Sequence, residues 1–358
     1  MTGEPSPPHR RRARYAGQYP RRFDEKYKEH DPEQYPETVR KVLDSGKTPA
    51  GAHVPILTAE ILEALDPRPG DTVVDCTLGY GGHARAMLPR IQPGGKLLGL
   101  DVDPLELPKT EARMRRLGFG PDVFAARRSN FAGLPAALAA EALPGADCLL
   151  ADLGVSSMQL DTPGRGFSFK TPGPLDMRMN PNRGQPASAW LLALQPAALA
   201  ALLEEHSDEP HAAILAEALA GRTLAQTSDL ANAVRSALAH ARADEREQSV
   251  RRVFQALRIA VNEEFTALDT LLRHLPQCLN PGGRVAIVSF HSGEDRRVKK
   301  AFQAGLRDGL YAAIANDVVR PTADECRANP RASAAKLRWA RRQACLAEAH
   351  PRWAASQG

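Results

Sequence analysis

The apolar run Thr72-Val73-Val74-Asp75-Cys76 leads into the glycine-dense turn Gly79-Tyr80-Gly81-Gly82, after which helical spacing continues to Leu88. Glycines let the backbone reverse tightly and approach a ligand closely. The positive end of the following helix favours an anion. A second strand, Lys96–Leu100, ends in Asp101, twenty positions beyond Gly81. A carboxylate there can accept hydrogen bonds from both hydroxyls of a ribose.

The same spacing serves more than one ligand. Gly79, Gly81 and Ala84 also satisfy the G-x-G-x-x-A form of the dinucleotide fingerprint, with an acid at the matching distance. From these residues alone, three readings stay open: an S-adenosylmethionine-dependent methyltransferase, a nicotinamide enzyme, and a glycine turn without catalytic use.

The alternation continues. A helix is expected over Thr58–Leu65 and another near Lys109–Leu117, with strands at Val123–Ala126 and Asp147–Asp152. Strands and helices alternating at this spacing indicate a parallel α/β sheet. After Gly154 the pattern stops. Residues 155–186 are dense in Gly and Pro, and Ala187 to about Leu275 is Ala- and Leu-rich and helical, with Thr227 or Ser228 as an N-cap. The turn Asn280-Pro281-Gly282-Gly283 then introduces a further strand, Arg284–Phe290. The division expected is a leader, 1–50, and a Rossmann-like α/β domain, 51–165 and 276–345. An all-helical insertion, 166–275, and a tail, 346–358, complete it. Doubly wound sheets bind ligands beyond the carboxyl ends of their strands, which puts the site between sheet and insertion.

The chain has 358 residues and a formal net charge of +5. Its basic residues cluster: Arg10, Arg11, Arg12, Arg14, Arg21 and Arg22 in the leader; Arg251 and Arg252; Arg296, Arg297, Lys299 and Lys300; and Arg327, Arg331, Lys336, Arg338, Arg341 and Arg342. Several such clusters around one site point to phosphate contacts. The five cysteines are scattered and unpaired in spacing, which fits reduced thiols in a cytoplasm. Cys76 and Cys148 lie in apolar runs and read as packing residues. No apolar run approaches the roughly 20 residues that span a bilayer. Glu204-Glu205-His206-Ser207-Asp208-Glu209-Pro210-His211 resembles a ligand cluster, but Pro210 interrupts regular spacing and a solvated helix end is expected, with no metal.

The long segment after the fourth strand narrows the choice. It reads Ala151-Asp152-Leu153-Gly154-Val155-Ser156-Ser157-Met158-Gln159, then Arg165-Gly166-Phe167-Ser168-Phe169, then Leu175-Asp176-Met177-Arg178-Met179. So long an irregular segment is normally functional or disordered, and its Leu, Met and Phe residues argue against disorder. With His53-Val54-Pro55, Val261-Asn262-x-Glu264, Ser289-Phe290-His291-Ser292, Glu294-Asp295-Arg296 and Asn329-Pro330-Arg331, it resembles the bacterial 16S rRNA cytosine-N4 methyltransferase family, RsmH or MraW. The likeness runs from about His53 to Arg338.

The resemblance implies methyl transfer from S-adenosyl-L-methionine to the exocyclic N4 of a 16S rRNA cytosine, number 1402 at the decoding site by family convention. It implies cofactor contacts from Gly81, Gly82, His83, Asp101, Phe131, Asp152 and Gln159. Asp176, His291 and Arg178 become the substrate-side candidates, although Asp176 and Arg178 could equally pair with each other to order the loop. The partner implied is 16S rRNA within the small ribosomal subunit. The chain departs from the family pattern at Gln248-Ser249-Val250, where a His-Pro-Ala run is usual, and at Gly293, where a leucine is usual. It is also short between Lys300 and Asn329 and carries the leader. These departures keep two alternatives in view: a paralogue acting on another RNA or DNA cytosine, and a non-catalytic RNA-binding assembly factor.

Overall fold

Five short, largely apolar runs form the parallel part of a seven-stranded sheet. The computed structural model describes residues 55–344, so the leader, Cys345 and the tail lie outside the described residues. The strands are β1 (Thr72–Asp75), β2 (Lys96–Asp101), β3 (Phe124–Arg128), β4 (Ala146–Asp152), β5 (Leu279–Ser289), β6 (Tyr311–Ile314) and β7 (Lys336–Arg342). Their order is β3-β2-β1-β4-β5-β7-β6, with β7 antiparallel to both neighbours. Val73, Val74, Leu97, Leu98, Leu149 and Leu150 are buried in continuous runs, as central parallel strands covered on both faces require.

One face carries α1 (Thr58–Leu65), α2 (Gly82–Met87) and α3 (Leu107–Arg116), whose Ile61, Met87 and Met114 share a core with Val73 and Leu97. The other face carries α4 (Leu134–Ala140) together with two helices from the far side of the insertion. This is the Rossmann-like methyltransferase sheet expected. Its strand order reverses between β1 and β4, and the crevice at such a reversal is where these sheets bind ligands.

Between β4 and β5 the chain forms α5 (Ser157–Asp161), α6 (Ala187–Ala193), α7 (Pro196–Ser207), α8 (Ala212–Leu219), α9 (Thr227–Ala237) and α10 (Ala243–Val261). Leu191, Leu203, Leu215, Leu230 and Leu257 from α6 to α10 build a second core, which also takes in Phe167, Leu175 and Met177 from the irregular segment. The next helix, α11 (Glu264–Cys278), returns to the sheet: Leu268, Leu271 and Leu275 pack with Val285 and Ile287. Beside it lies α12 (Ser292–Arg307), and α13 (Ala323–Ala328) precedes β7.

Local details differ from expectation. The N-cap of α9 is Gln226, whose N–H donates to Asp229 at 2.9 Å. Thr227 is instead fully buried, and its hydroxyl accepts from the Gly173 N–H at 3.2 Å. A buried hydroxyl that ties down a loop replaces a capping one. The Asn280–Gly283 turn is an irregularity inside β5: Leu279 pairs with Ala146 and Arg284 with Cys148. Cys76 and Cys148 are buried free thiols, and burial pushes both upward in pKa, Cys148 to about 12. Among the described residues no helix is long and apolar enough to cross a membrane.

Candidate active site

The β1–α2 turn and the end of β4 meet at the strand-order reversal. Thr77 joins them, its hydroxyl accepting from the Asp152 N–H at 2.7 Å. Gly81 caps α2 in the left-handed region, φ 79°, where a Cβ would fall 2.2 Å from Met114 Cε. At Gly82 a Cβ would press on the Pro55 ring at 3.1 Å. The turn is held from β2 as well. Asp101 accepts from the Gly79 N–H at 2.7 Å through one oxygen and from the Asp103 N–H at 2.8 Å through the other. From α3, Thr110 donates to Gly79 O at 2.6 Å, and the Arg113 guanidinium donates to Tyr80 O and lies 3.4 Å over the Tyr80 ring.

Behind the turn lies a buried charged group. His83 Nε2 stands 3.5 Å from Asp152 Oδ2 without hydrogen-bond geometry, and both His83 nitrogens and Asp152 Oδ1 lack a hydrogen-bond partner. Burial opposes the charge on His83, but Asp152 and Asp75 outweigh it and hold its pKa above the ordinary value. Burial pushes Asp75 up to about 6, against the pull of His83 and the Thr77 N–H, and it raises Asp101.

This set can hold a polar cofactor. Asp101 uses one acceptor site on each oxygen and retains others for a ribose diol. Buried polar atoms without partners are rare enough to require an explanation, and a ligand's amino or hydroxyl groups would satisfy them. Phe131 opens a short 3-10 turn after β3 and is half-buried against the sheet core. Gln159 is buried and already engaged: its Oε1 accepts from the Ser156 N–H and its Nε2 donates to Asp103.

On the insertion side, Asp176 and Arg178 pair with each other. Arg178 Nε and Nη2 reach the two Asp176 oxygens at 2.7 and 2.8 Å. Burial resists the charge on Asp176, yet the Arg178 guanidinium and N–H keep it below the usual carboxylate range. Between them Met177 is fixed at φ 64°, a left-handed conformation costing a non-glycine residue ~1–2 kcal/mol. Asn262, at the α10–α11 corner, clamps it. Its Nδ2 donates to Met177 O at 2.8 Å and its Oδ1 accepts from the Met179 N–H at 2.7 Å.

His291 follows β5, three residues beyond Val288, the partner of Asp152. Its Nε2 is 3.3 Å from Glu294 Oε1, and neither ring nitrogen has a hydrogen-bond partner. Glu294 is buried; burial resists its charge, but His291, Arg258 and the Phe290 N–H keep its pKa low. Arg258 is paired with Glu264 through two 2.8 Å hydrogen bonds. The α10–α11 corner thus holds Met177 and Met179 through Asn262 and lends positive charge to Glu294 through Arg258. A Cβ on Gly293 would meet Phe265 Cζ at 2.6 Å. The Phe265 ring sits against His291 and His206 and carries the Arg297 guanidinium 3.6 Å above it. A residue larger than glycine at 293 would therefore have to displace that ring.

Asp103, Arg165, Asn262 and Glu294 had no assigned role in the sequence reading, although all but Asp103 lie in the stretches that carry the resemblance. For Asp103 the signal was its position two residues after Asp101. The basic clusters divide. Arg338 is buried and paired with Asp295 at 2.7 Å, Arg342 donates to Leu279 O, Arg331 pairs with Asp161 and Arg296 with Asp208. For Arg338 and Arg342 the phosphate reading is corrected: strand β7 turns them toward internal acceptors. Arg251, Lys299, Lys300 and Arg341 are exposed. The leader cluster lies outside the described residues. In the acidic stretch at the end of α7, Asp208 binds Ser292 and Arg296, and Glu209 accepts from Ser249. Among the described residues no group of three or more His, Cys, Asp or Glu could hold a metal.

The description of the MraW methylase family matches residues 50–343. The chain belongs to the MraW methylase family. This methylase is 46% identical to ribosomal RNA small subunit methyltransferase H 1 of Lachnoclostridium phytofermentans, over 95% of the chain and 96% of that protein. It is 48% identical to ribosomal RNA small subunit methyltransferase H 2 of Alkaliphilus metalliredigens, over 92% and 97%. With ribosomal RNA small subunit methyltransferase H of Anaeromyxobacter sp. strain K it shares 40% identity, over 80% of the chain and 96% of that protein. A match spanning 95% of the methylase reaches into its first fifty residues, so the leader is at least partly shared with the first of these relatives.

Proposed function

We propose that this methylase transfers the methyl group of S-adenosyl-L-methionine to the exocyclic N4 of a cytosine in 16S rRNA, at the decoding site of the small ribosomal subunit. The observation that carries the reading is the buried His83–Asp152 pair with unpartnered polar atoms, beside Asp101, at the strand-order reversal. The relatives' names, ribosomal RNA small subunit methyltransferases, support the substrate. Gly81, Gly82, His83, Asp101, Phe131, Asp152 and Gln159 would hold the cofactor. When bound, it supplies a methyl group on a sulfonium leaving group.

The cytosine amine is a poor nucleophile because its lone pair is delocalised into the ring. The protein must hold that nitrogen about 3–3.5 Å from the methyl carbon and correctly aligned. Acceptors on the amine's protons orient it and favour their loss during transfer. His291, with no hydrogen-bond partner on its ring, is the readiest acceptor, and Asp176 retains acceptor sites beyond those Arg178 occupies. Arg178, held in place by Asp176, would face a phosphate or the cytosine carbonyl. The base must be unstacked to enter, and exposed Arg251, Lys299 and Lys300 offer charge for the flanking backbone.

Mass spectrometry of 16S rRNA from cells lacking the gene tests this. N4-methylcytidine at the decoding site should vanish, and should return with the wild-type gene but not with Asp101→Ala. If the mark persists in the deletion strain, the target is a different cytosine or catalysis is absent.

A further inference from the structure

We propose that Arg165 is a positioning residue that ties the cofactor side of the site to the substrate loop, so that cofactor binding orders Asp176–Arg178. The inference rests on the cofactor reading above. Arg165 is largely buried, and its guanidinium faces two ways. Nη1 donates to Asp103 Oδ2 at 2.7 Å, on an acid that is itself buried and also accepts from Gln159 Nε2 at 3.1 Å. Nη2 donates to the carbonyls of Arg178 and Met179 at 3.1 and 2.8 Å. The Arg165 carbonyl accepts from the Met177 N–H at 3.1 Å.

Followed from the glycine turn, the polar contacts form one chain. The Gly79 N–H donates to Asp101, which also accepts from the Asp103 N–H. The Asp103 carboxylate then holds Arg165, and Arg165 holds both carbonyls that follow Met177. Asn262 completes the hold from the other side. Two glycines let the strands of the loop close on one another: a Cβ on Gly166 would lie 2.2 Å from Pro174 O, and one on Gly173 1.9 Å from Pro163 O. Met177 keeps its left-handed conformation only while these contacts persist, as backbone strain requires. Ligand contact at Asp101 and Gln159 therefore bears on the same acid that anchors the loop. A fork-shaped guanidinium can span both sides at once, whereas an ammonium presents a single point of charge.

The test is hydrogen exchange of the full-length protein with and without S-adenosylhomocysteine, with binding measured by calorimetry. In the wild type the ligand should slow exchange at Met177 and Met179 by ~10-fold or more, within the range of ordinary site-to-site coupling. Arg165→Lys keeps the charge beside Asp103, so binding should persist within about threefold while that protection disappears; kcat should fall ~100-fold with the cofactor KM little changed. Asp103→Asn, which cuts the chain at its other end, should also abolish the protection. Protection that survives in Arg165→Lys, or that is absent from a wild type that binds the ligand, overturns the proposal. A wild type that does not bind S-adenosylhomocysteine overturns the cofactor reading, and this inference with it.

Discussion

Replacing Gly81 by alanine tests the geometry of the glycine turn more directly than removing any charged group, because the added methyl perturbs only backbone conformation and packing. The residue is held at φ 79°, which costs an alanine ~1–2 kcal/mol. The new Cβ would also stand 2.2 Å from Met114 Cε and 3.0 Å from Thr110 Cγ2. Met114 can yield because its contact atom ends a flexible side chain, but it is buried in the core beneath α2. Pushing it off its rotamer adds ~1 kcal/mol. Together the loss is about 2–3 kcal/mol, or roughly 3–4 °C in melting temperature for a chain of this size. Gly82→Ala is the control. Gly82 has ordinary helical backbone and its Cβ would meet only the Pro55 ring at 3.1–3.2 Å, so a smaller loss is expected. Thermal denaturation of both variants, with calorimetric titration of S-adenosylhomocysteine, reads the effect. Gly81→Ala should weaken binding at least ~10-fold, since the turn cannot keep its shape. An alanine variant that melts with the wild type and binds equally well would refute the claim that this turn needs a left-handed residue.

Two further outcomes follow from the site's charges. Asp75 has its folded pKa raised to about 6, so its contribution to stability is complete below its unfolded pKa of 3.8 and is lost as pH rises through about 6. Asp75→Asn should therefore gain up to ~3 kcal/mol over the wild type near pH 8 and almost nothing near pH 4; thermal melts giving the same difference at both pH values would contradict the assignment. Arg178→Lys keeps the charge but loses the two-pronged pairing with Asp176, so methylation should slow at least ~10-fold with cofactor affinity unchanged. Equal single-turnover rates would show that the fork is dispensable.

What could be read from the sequence was whatever leaves a local signature. The strands β1, β2 and β4 are apolar runs closed by aspartate, and the glycine turn names its own backbone demand at Gly81. Strand β7 left no such signature: Lys336-Leu337-Arg338-Trp339-Ala340-Arg341-Arg342 reads as a basic cluster, and only tertiary pairing turns Arg338 onto Asp295. The site divided in the same way. Asp101 and Asp152 stand at strand ends, where chain position alone marks them. The tie from Arg165 to Asp103 spans 62 positions and the clamp from Asn262 to Met179 spans 83, distances at which single-sequence periodicity carries no information. Thr227 shows the converse: a residue with the right chemistry for a cap was drawn inward by a buried loop that needed its hydroxyl.

The neighbouring strands β4 and β5 are separated by the whole helical insertion, since Asp152 pairs with Val288. During synthesis, β4 leaves the ribosome more than a hundred residues before the strand that covers its edge. Its run Cys148-Leu149-Leu150-Ala151 is wholly buried in the finished sheet, and an uncovered apolar edge of that kind invites pairing with other chains. The insertion shortens the exposure. Within its core α7 and α8 are neighbours in both sequence and space, and contacts of short sequence separation form fast. Once folded, it replaces a long loop with a compact body in which Asn262 is hydrogen-bonded back to Met177 and Met179. The late closure of the sheet then becomes a short-range event, in which β5 arrives beside β4 on an already compact insertion.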